Sequence, residues 1–405
     1  MPDQLEARLR AERERLDIDL PPLSAIAVRA AALRRRRRAA RAAVAALAAV
    51  ALAGMGAAVA ALRAGGTPPA PTAAASTAAP IWTADGITIQ GLPHLPADLP
   101  GSVRSAEFLD GDRGFLLTGD PGDSGAAWIS ATTDGGRTWT TAPSPMAGRQ
   151  TLVAGTGWVT LIGDAPDYPR ASTTDGEHWT SAASPPGAAA ALGGDARLVP
   201  LDAAGCGART GSLAGTVLAE PPGPPGITAC WWSPVRAGDG AWWVGGRTAD
   251  GTPAVSVSRD GGEHWSVTAF PGFPATAYAR AAMLGRDVYV TVVAAPDSAG
   301  APERLLAVAA SADGGVTFGP AHPTAGQATI GGDLVPLLDG RLLIVDGYGH
   351  WLVSADRGAS WHRVEGLHAT MRLARTEAGY LAYQMADIYT AFSVDGLTWQ
   401  KLDAQ

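Results

Sequence analysis

The sequence predicts an all-β fold, a seven-bladed β-propeller, over residues 81–405. Three observations predict it: one short pattern recurs six times after residue 130, most copies are about 40 residues apart, and each copy separates two runs of alternating apolar residues. The copies read TTDGGRTW (132–139), TTDGEHW (173–179), SRDGGEHW (258–265), SADGGVTF (311–318), SADRGASW (354–361) and SVDGLTW (393–399). A propeller accounts for such a period because each blade is one four-stranded antiparallel sheet.

The spacing of the repeated aspartates predicts the number of blades. These residues are Asp134, Asp175, Asp260, Asp313, Asp356 and Asp395. Their separations are 41, 85, 53, 43 and 39 residues, and 85 is close to two periods with one copy missing near residue 217. Residues 100–405 hold about seven periods of this length. We therefore expect six blades that carry the pattern and one that lacks it.

The chemistry of the pattern is that of a β-hairpin turn. The Asp carboxylate can accept hydrogen bonds from the amides of the turn, Gly supplies a positive φ, and the Ser or Thr two residues earlier adds a second local bond. The aromatic residue that follows offers a large apolar face for packing. The copies at Asp175 and Asp395 are one residue shorter between Asp and the aromatic residue, which predicts tighter turns. Folding alone therefore explains every residue of the repeat.

The six copies resemble the Asp-box, or bacterial neuraminidase, repeat, and the resemblance covers residues 100–405. That family includes sialidases, sortilin-type receptors, xyloglucan-degrading hydrolases and a photosystem assembly factor. The resemblance implies that each box joins the outer two strands of a blade, away from the central funnel where ligands bind. It also implies that the six aspartates are structural residues.

The N-terminal part of the chain differs from the rest in charge and composition. Residues 1–63 contain 12 Arg and six acidic residues, a net charge of +6. Because the whole chain has a net charge of −7, the other 342 residues have a net charge of −13. This acidic bulk argues against a nucleic-acid partner. Residues 42–62 are 21 residues without a charge, or about 31 Å as a helix, enough to cross a bilayer. Six arginines precede this stretch closely and only Arg63 follows, which places the N-terminus in the cytoplasm and the propeller outside.

The sequence thus predicts a cytoplasmic basic helical segment (1–41), a transmembrane helix (42–62), a Pro/Ala/Thr-rich linker (63–80) and an extracellular propeller (81–405). A cleaved signal peptide is the alternative, but such peptides are usually about 15–30 residues long in total, and here 41 residues precede the apolar core. Within the first 33 residues, the charged helical sequence either contacts anionic lipid or docks a cytoplasmic partner.

The only two cysteines, Cys206 and Cys230, lie on the exported side of the predicted membrane span. An oxidising compartment favours a disulfide between them. They enclose the blade that lacks the repeat, so we expect the disulfide to replace the missing turn as the element that holds this blade together. Their Cα atoms should be about 4.4–6.8 Å apart.

Four arginines are the best candidates for a ligand site, because they occupy comparable places in the predicted innermost strands of four blades. These residues are Arg104, Arg236, Arg280 and Arg372. Converging guanidinium groups would suit a carboxylate or another anion at the mouth of the funnel. The alternative is that these arginines pair with neighbouring acids such as Glu107.

Four tryptophans fall within 13 residues, at 231, 232, 242 and 243. Of these, Trp232 and Trp242 are candidates for stacking on a sugar ring. Because adjacent strand residues point to opposite faces, at least one member of each pair should pack between blades instead.

Two classes of function remain open at this stage. The first is a non-catalytic, membrane-anchored propeller that binds a surface protein or a glycan at its funnel; the second is a sialidase-like or other glycoside hydrolase. The chain lacks the early Arg-Ile-Pro motif of sialidases, and no Tyr nucleophile with a Glu partner can be picked out. It also contains no P-loop, HExxH motif, GxSxG motif or zinc-type cysteine cluster, so the sequence predicts no cofactor and no metal.

Overall fold

A computed structural model describes most of the chain from residue 81 to residue 403. The described ranges are 81–91, 100–119, 126–164, 166–189, 191–201, 206–233, 236–295, 302–324, 328–367, 370, 372–376, 378–383 and 389–403. The predicted cytoplasmic segment, transmembrane helix and linker therefore lie outside the described residues. Within the described ranges, no helix has the length and apolar character needed to cross a membrane.

The described strands form seven sheets, which confirms the predicted seven-bladed propeller. An N-terminal hairpin, β1 (Ile81–Ala84) and β2 (Ile87–Gly91), precedes the blades. Blade 1 contains β3 (Ser102–Phe108), β4 (Gly114–Gly119), β5 (Ala127–Thr132) and β6 (Thr140–Pro143). Blade 2 contains β7 (Gln150–Gly155), β8 (Trp158–Gly163), β9 (Arg170–Thr173) and β10 (Thr180–Ala182). Blade 3 contains β11 (Gly187–Ala188), β12 (Arg197–Pro200), β13 (Thr210–Ala214) and β14 (Val217–Glu220).

The remaining four blades follow in chain order. Blade 4 contains β15 (Thr228–Trp232), β16 (Trp242–Arg247), β17 (Pro253–Ser258) and β18 (Ser266–Ala269). Blade 5 contains β19 (Ala277–Leu284), β20 (Asp287–Ala294), β21 (Glu303–Ser311), β22 (His322–Pro323) and the short β23 (Thr329–Ile330), which pairs with β21. Blade 6 contains β24 (Val335–Pro336), β25 (Leu342–Val345), β26 (Trp351–Ser354) and β27 (His362–Arg363). Blade 7 contains β28 (Arg372–Arg375), β29 (Tyr380–Tyr383), β30 (Tyr389–Ser393) and β31 (Thr398–Asp403).

The core lies between blades, in apolar clusters that each join two neighbouring sheets. Between blades 4 and 5, for example, Trp243 and Val255 pack against Val290 and Ala307. The aromatic residue of each repeat packs into the interface with the blade before it in the ring. These residues are Trp139, Trp179, Trp265, Phe318, Trp361 and Trp399. Such a side chain buries about 150–250 Å² of surface. The aromatic residue of each repeat therefore belongs to a turn and also contributes to the contact between two blades.

The two ends of the described chain are joined in one sheet. Strand β2 pairs in parallel with β31 at the outer edge of blade 7, and β1 then pairs with β2. Ile87 and Ile89 of β2 are fully buried in the cluster between blades 6 and 7. The turn of this hairpin also contacts blade 6, since Asp85 lies 3.0 Å from Arg341 and 2.9 Å from His362. The hairpin therefore contacts both of the last two blades.

Blade 3 lacks the repeat for a reason that the sequence analysis did not foresee. In the other six blades the repeat joins the third strand to the fourth, but in blade 3 the fourth position is filled by β11, which precedes the blade in the chain and pairs in parallel with β14. No hairpin is needed between the third and fourth strands, so no repeat is present. The chain leaves β14 and enters blade 4 directly.

The disulfide between Cys206 and Cys230 is present, but its predicted role was wrong. Cys206 lies in the connection between β12 and β13, and Cys230 lies in β15, the first strand of blade 4. The bridge therefore joins two blades and does not substitute for the outer turn of blade 3. The two Cα atoms are 3.9 Å apart, closer than the expected range. A backbone hydrogen bond of 2.7 Å from Gly207 to the carbonyl of Ala229 supports the same contact.

Candidate functional site

The six repeat turns share one hydrogen-bond pattern. In the turn of blade 1, Thr132 donates from its hydroxyl to Asp134 Oδ1 at 2.9 Å, and the same carboxylate oxygen accepts the amides of Arg137 and Thr138, each at 2.9 Å. The amide of Gly136 donates back to the Thr132 hydroxyl at 2.9 Å. The hydroxyl-to-carboxylate bond recurs in the other five turns at 2.7–3.1 Å. Each carboxylate thus satisfies the amides of its own turn.

The two shorter copies form tighter turns, as expected. In the longer turns the amide bonded to the Ser or Thr hydroxyl comes four residues after it, whereas Gly176 and Gly396 donate to a hydroxyl only three residues earlier. Correspondingly, Asp175 accepts the amides of Glu177 and His178, two and three residues further on. The shorter turns therefore have one residue fewer but keep the hydrogen-bond pattern of the longer turns.

Hydrogen bonds within the turn lower the pKa of the repeat carboxylates in blades 1, 2, 4, 5 and 6. Hydrogen bonds from His264 lower the pKa of Asp260 to about 2, and those from Ser360 lower the pKa of Asp356 to about 2. A carboxyl group that stays ionised far below neutral pH is a poor general acid, so these residues are unsuited to protonating a leaving group. The geometry therefore supports the structural interpretation of the repeats.

Three of the four candidate arginines lie on the first strands of their blades, as expected: Arg104 on β3, Arg280 on β19 and Arg372 on β28. The prediction was wrong for Arg236, which lies in the connection between the first and second strands of blade 4. Its guanidinium donates to the carbonyls of Gly240 and Gly194 and lies 5.2 Å from the ring of Trp242. Strand β15 ends at Trp232, four residues before Arg236.

Arg280 is the centre of a buried polar cluster between blades 5 and 6. It forms an ion pair with Glu303 of β21, and Tyr278 donates its hydroxyl to the same glutamate. Arg280 also donates to the Tyr278 oxygen and, at 2.8 Å, to the carbonyl of Gly332. Burial alone would lower the pKa of Arg280, but Tyr278, Glu303 and Asp333 together raise it. Three of its neighbours therefore already engage its Nη1 and Nη2 atoms, while its buried Nε–H has no hydrogen-bond partner among the described residues.

The cluster contains the Tyr–Glu pair that the sequence did not reveal. Tyr278 is two residues before Arg280 and therefore on the same face of its strand, which is the one signal that could have found it. Burial raises the pKa of Tyr278 to about 12, with the charge of Arg280 opposing this shift. The phenol is 8% exposed and stays protonated at neutral pH. A nucleophile needs the opposite environment, one that is open and lowers the pKa.

Asp333 extends this cluster toward blade 4. Trp231 of β15 donates its indole N–H at 3.2 Å to Asp333, which lies between β23 of blade 5 and β24 of blade 6. Burial raises the pKa of Asp333, while the charge of Arg280 and the indole bond oppose that shift. This hydrogen bond therefore links blade 4 to the segment that leads into blade 6.

A small cavity lies between the first strand of blade 1 and blade 7. It is lined by Arg104, Glu107 and Arg375, among others, and holds about 100 Å³. Arg375 was missed in the sequence analysis; it follows Arg372 by three residues and donates to the carbonyl of Met283 in blade 5. Ligand sites for small molecules usually hold about 300–1,000 Å³, so this cavity has room for a few waters rather than a sugar ring.

The candidate tryptophans are packed. Trp242 is fully buried and packs between blades 3 and 4, and Trp243 is 1% exposed between blades 4 and 5. Trp232 is half-buried and donates its indole N–H to the hydroxyl of Thr210 at 2.6 Å. Packing between blades, which the sequence predicts for at least one member of each pair, thus applies to both Trp242 and Trp243.

One group of metal-binding residue types occurs among the described residues: Asp260, Glu263 and His264, all exposed in the repeat turn of blade 4. The Asp260 carboxylate is already bonded to the His264 amide at 2.9 Å and to its ring nitrogen at 2.6 Å. These bonds belong to the shared turn pattern, so the group is explained by the turn.

Comparison with known proteins finds distant structural likeness only. No protein-family profile matches this chain, and no curated protein sequence matches it. Among solved structures, YCF48 from Cyanidioschyzon merolae is 15% identical over 75% of this chain and 95% of its own, with a TM-score of 0.39. The Pan2 WD40 domain of Neurospora crassa is 9% identical over 76% of this chain and 93% of its own, with a TM-score of 0.44.

Trypanosoma rangeli sialidase is 10% identical over 79% of this chain. The match covers 56% of the sialidase, with a TM-score of 0.36. Likeness at these levels concerns the fold alone, and the blade count of the present chain rests on its own strand order.

Proposed function

We propose that this chain is a membrane-anchored, extracellular propeller of the Asp-box type that binds a surface protein or a glycan without catalysing a reaction on it. The observation that carries the non-catalytic assignment is the state of the Tyr278–Glu303 pair. The phenol is buried and its pKa is raised to about 12, and the glutamate is already engaged by Arg280. The cavity at Arg104 and Arg375, about 100 Å³, is also too small for a glycan ring.

Propellers that bind partners use the surface at the ends of their blades, where loops from several sheets converge. Arg372 is exposed on β28, and Arg104 lines the cavity beside that strand. Both residues lie near the start of the first strand of their blade. We therefore propose that an acidic or sulfated group of the partner contacts the first strands of blades 7 and 1, at the predicted funnel mouth.

A glycoside hydrolase is the second candidate, because one observation favours it. Arg280, Tyr278 and Glu303 combine the residue types with which sialidases hold a carboxylate and attack a sugar. For this function, the cluster would have to open to solvent and the pKa of Tyr278 would have to fall. Hydrolysis also requires two suitably separated groups on either side of the bond.

A hydrolysis assay separates the two candidates. The full chain is incubated with fluorogenic sialosides and a panel of other fluorogenic glycosides, beside the Tyr278→Phe variant. We expect no turnover above that of the variant. Turnover by the unaltered chain that is lost in Tyr278→Phe would establish the hydrolase and end the non-catalytic proposal.

Binding is tested with the same full chain on a glycan array and on an extract of cell-surface proteins. The double variant Arg104→Ala/Arg372→Ala should lose a captured partner. The matched control, Arg149→Ala/Arg286→Ala, removes two exposed arginines elsewhere and should retain it. Equal capture by both double variants would remove the funnel mouth from the proposal.

Membrane anchoring is tested on cells that make the full chain. The protein should stay in the membrane fraction after an alkaline wash, and protease added to intact cells should remove the propeller. Recovery of a propeller released by signal peptidase would contradict the anchor.

A further inference from the structure

Arg170, at the start of β9, is a buried cation outside the proposed funnel site. The residue is 2% exposed. Its guanidinium donates to the Thr216 carbonyl at 2.9 Å, to the Tyr168 and Ser184 carbonyls at 2.9 and 3.1 Å, and to the Ser184 hydroxyl at 2.9 Å. A guanidinium has five N–H donors, so these four bonds leave one hydrogen on Nη2 without an acceptor among the described residues.

All four acceptors of Arg170 are neutral. Burial lowers the pKa of Arg170, and no carboxylate among the described residues contributes to offset it. A buried charge without a partner of opposite sign is costly, and partial charges on carbonyls compensate it only in part. An anion that reached this guanidinium would therefore be bound in an environment where its charge is poorly screened.

Arg170 lines an open groove on the flank of blade 2. The groove holds about 470 Å³, within the range of binding sites, and lies at the end of the blade away from its repeat turn. Its walls are formed by Pro145, Met146, Pro169 and Ala182, together with other small residues. Every lining residue except Arg170 is uncharged. The groove thus combines an apolar wall with one uncompensated positive charge.

One wall of the groove is an open sheet edge. Strand β10 pairs with β9 on one side only, and it is the outermost strand of blade 2. Ser181 and Ala182 of this strand line the groove. An unpaired edge offers backbone donors and acceptors to an extended peptide, and alternate side chains of that peptide then point into neighbouring pockets.

We propose that this groove binds an extended segment of a partner protein that presents one acidic side chain between small aliphatic residues. The carboxylate pairs with the remaining Nη2–H of Arg170, and the nearly buried side chain of Arg170 moves toward the groove to reach it. The aliphatic side chains contact Met146 and Pro169, and the backbone lies along β10. Occupation of this groove does not depend on the funnel, so the two sites can be tested separately.

The test uses the blocked peptide Ac-Val-Glu-Val-NH₂ and its neutral isostere Ac-Val-Gln-Val-NH₂. The full chain is labelled with ¹³C at the methionine methyl groups, and the Met146 signal is assigned from a Met146→Leu variant. We expect the Glu peptide to shift the Met146 signal in a saturable way. Loss of a hydrogen bond to a charged group should weaken the Gln peptide about ten-fold.

Two variants keep the test decisive if removal of Arg170 unfolds the blade. Ala182→Glu places a carboxylate on the groove wall, where it should pair with Arg170 and abolish binding of the Glu peptide while the domain stays folded. Val267→Glu adds the same charge to the outermost strand of blade 4 and should leave binding unchanged. Equal shifts from both peptides, no shift from the Glu peptide up to its solubility limit, or unaltered binding to Ala182→Glu would each overturn the proposal.

Discussion

Blade 3 and the other six blades hold their outer strands in different ways. In the six, a turn of about eight residues joins the third strand to the fourth, and its aspartate satisfies the turn amides. In blade 3, the outer strand comes from upstream in the chain, and the disulfide ties the blade to the next one. The first arrangement is local in sequence, whereas the second depends on contacts between distant residues.

This difference shows which part of the repeat stabilises the ring. The interface between blades 2 and 3 has no repeat aromatic residue, because blade 3 has no turn to supply one. It is closed by Trp158, Tyr168 and Leu213 instead. A propeller can therefore replace a repeat turn when other side chains fill the space between two blades.

The largest expected effect is on blade 3. Replacing both cysteines, as Cys206→Ser/Cys230→Ser, should lower the free energy of unfolding by about 3–4 kcal/mol, because the unfolded chain loses a cross-link that spans 24 residues. Urea unfolding of the full chain measures the change. A reductant should destabilise the unaltered chain and leave the double variant unaffected. An unchanged urea midpoint in the variant would show that blade 3 does not need the bridge.

The next effect concerns the packing of a repeat turn on the preceding blade. Gly315 has φ +81°, and a Cβ there would lie 2.3 Å from the ring of Trp243. Gly315→Ala should therefore cost about 2–3 kcal/mol from strain and overpacking. Gly340→Ala is the control, since its φ of +87° is similar but its Cβ would meet nothing within 4 Å. Equal losses would mean that backbone strain alone, and not the contact between blades, explains the glycine.

A smaller effect is expected for the carboxylate of one repeat. Asp134→Ala removes the acceptor of two turn amides and should cost about 1–2 kcal/mol, since water can reach part of this turn. Asp167→Ala, at an exposed turn of blade 2, should be neutral. Thermal unfolding of both variants gives the comparison, and a neutral Asp134→Ala would assign the stability of the turn to its aromatic residue.

The smallest expected effect is a loss of turn hydrogen bonds at acidic pH. Blade 3 should not show it, because this blade has no repeat turn. The folded pKa of Asp356 is about 2, below the ordinary value of 3.8. Its contribution is therefore complete above about pH 4 and is lost as the pH falls through 2. The amide signal of Ser360 should shift with a midpoint near pH 2, while the amide of Leu213 in blade 3 should not. A midpoint near pH 4 for Ser360 would contradict the turn bonds.

The candidate site was less predictable than the fold. The inner-strand positions of Arg104, Arg280 and Arg372 follow from alternation along a strand, and the structure agrees. The placement of Arg236 was wrong because β15 ends at Trp232, before the arginine. Tyr278 and Glu303 lie on β19 and β21, with β20 between them, so only the two-residue spacing of Tyr278 and Arg280 marks the pair in the sequence.

The sequence by itself determined the class of fold, the number of blades and the six turns, because each of these depends on residues within one short repeat and on its period. The tertiary structure alone decided that the outer strand of blade 3 comes from upstream, that Cys206 reaches the next blade, and that Arg170 is buried with no carboxylate partner among the described residues. These features arise where distant segments meet. Burial and charge there depend on which neighbours the ring brings together, and a linear pattern does not contain that information.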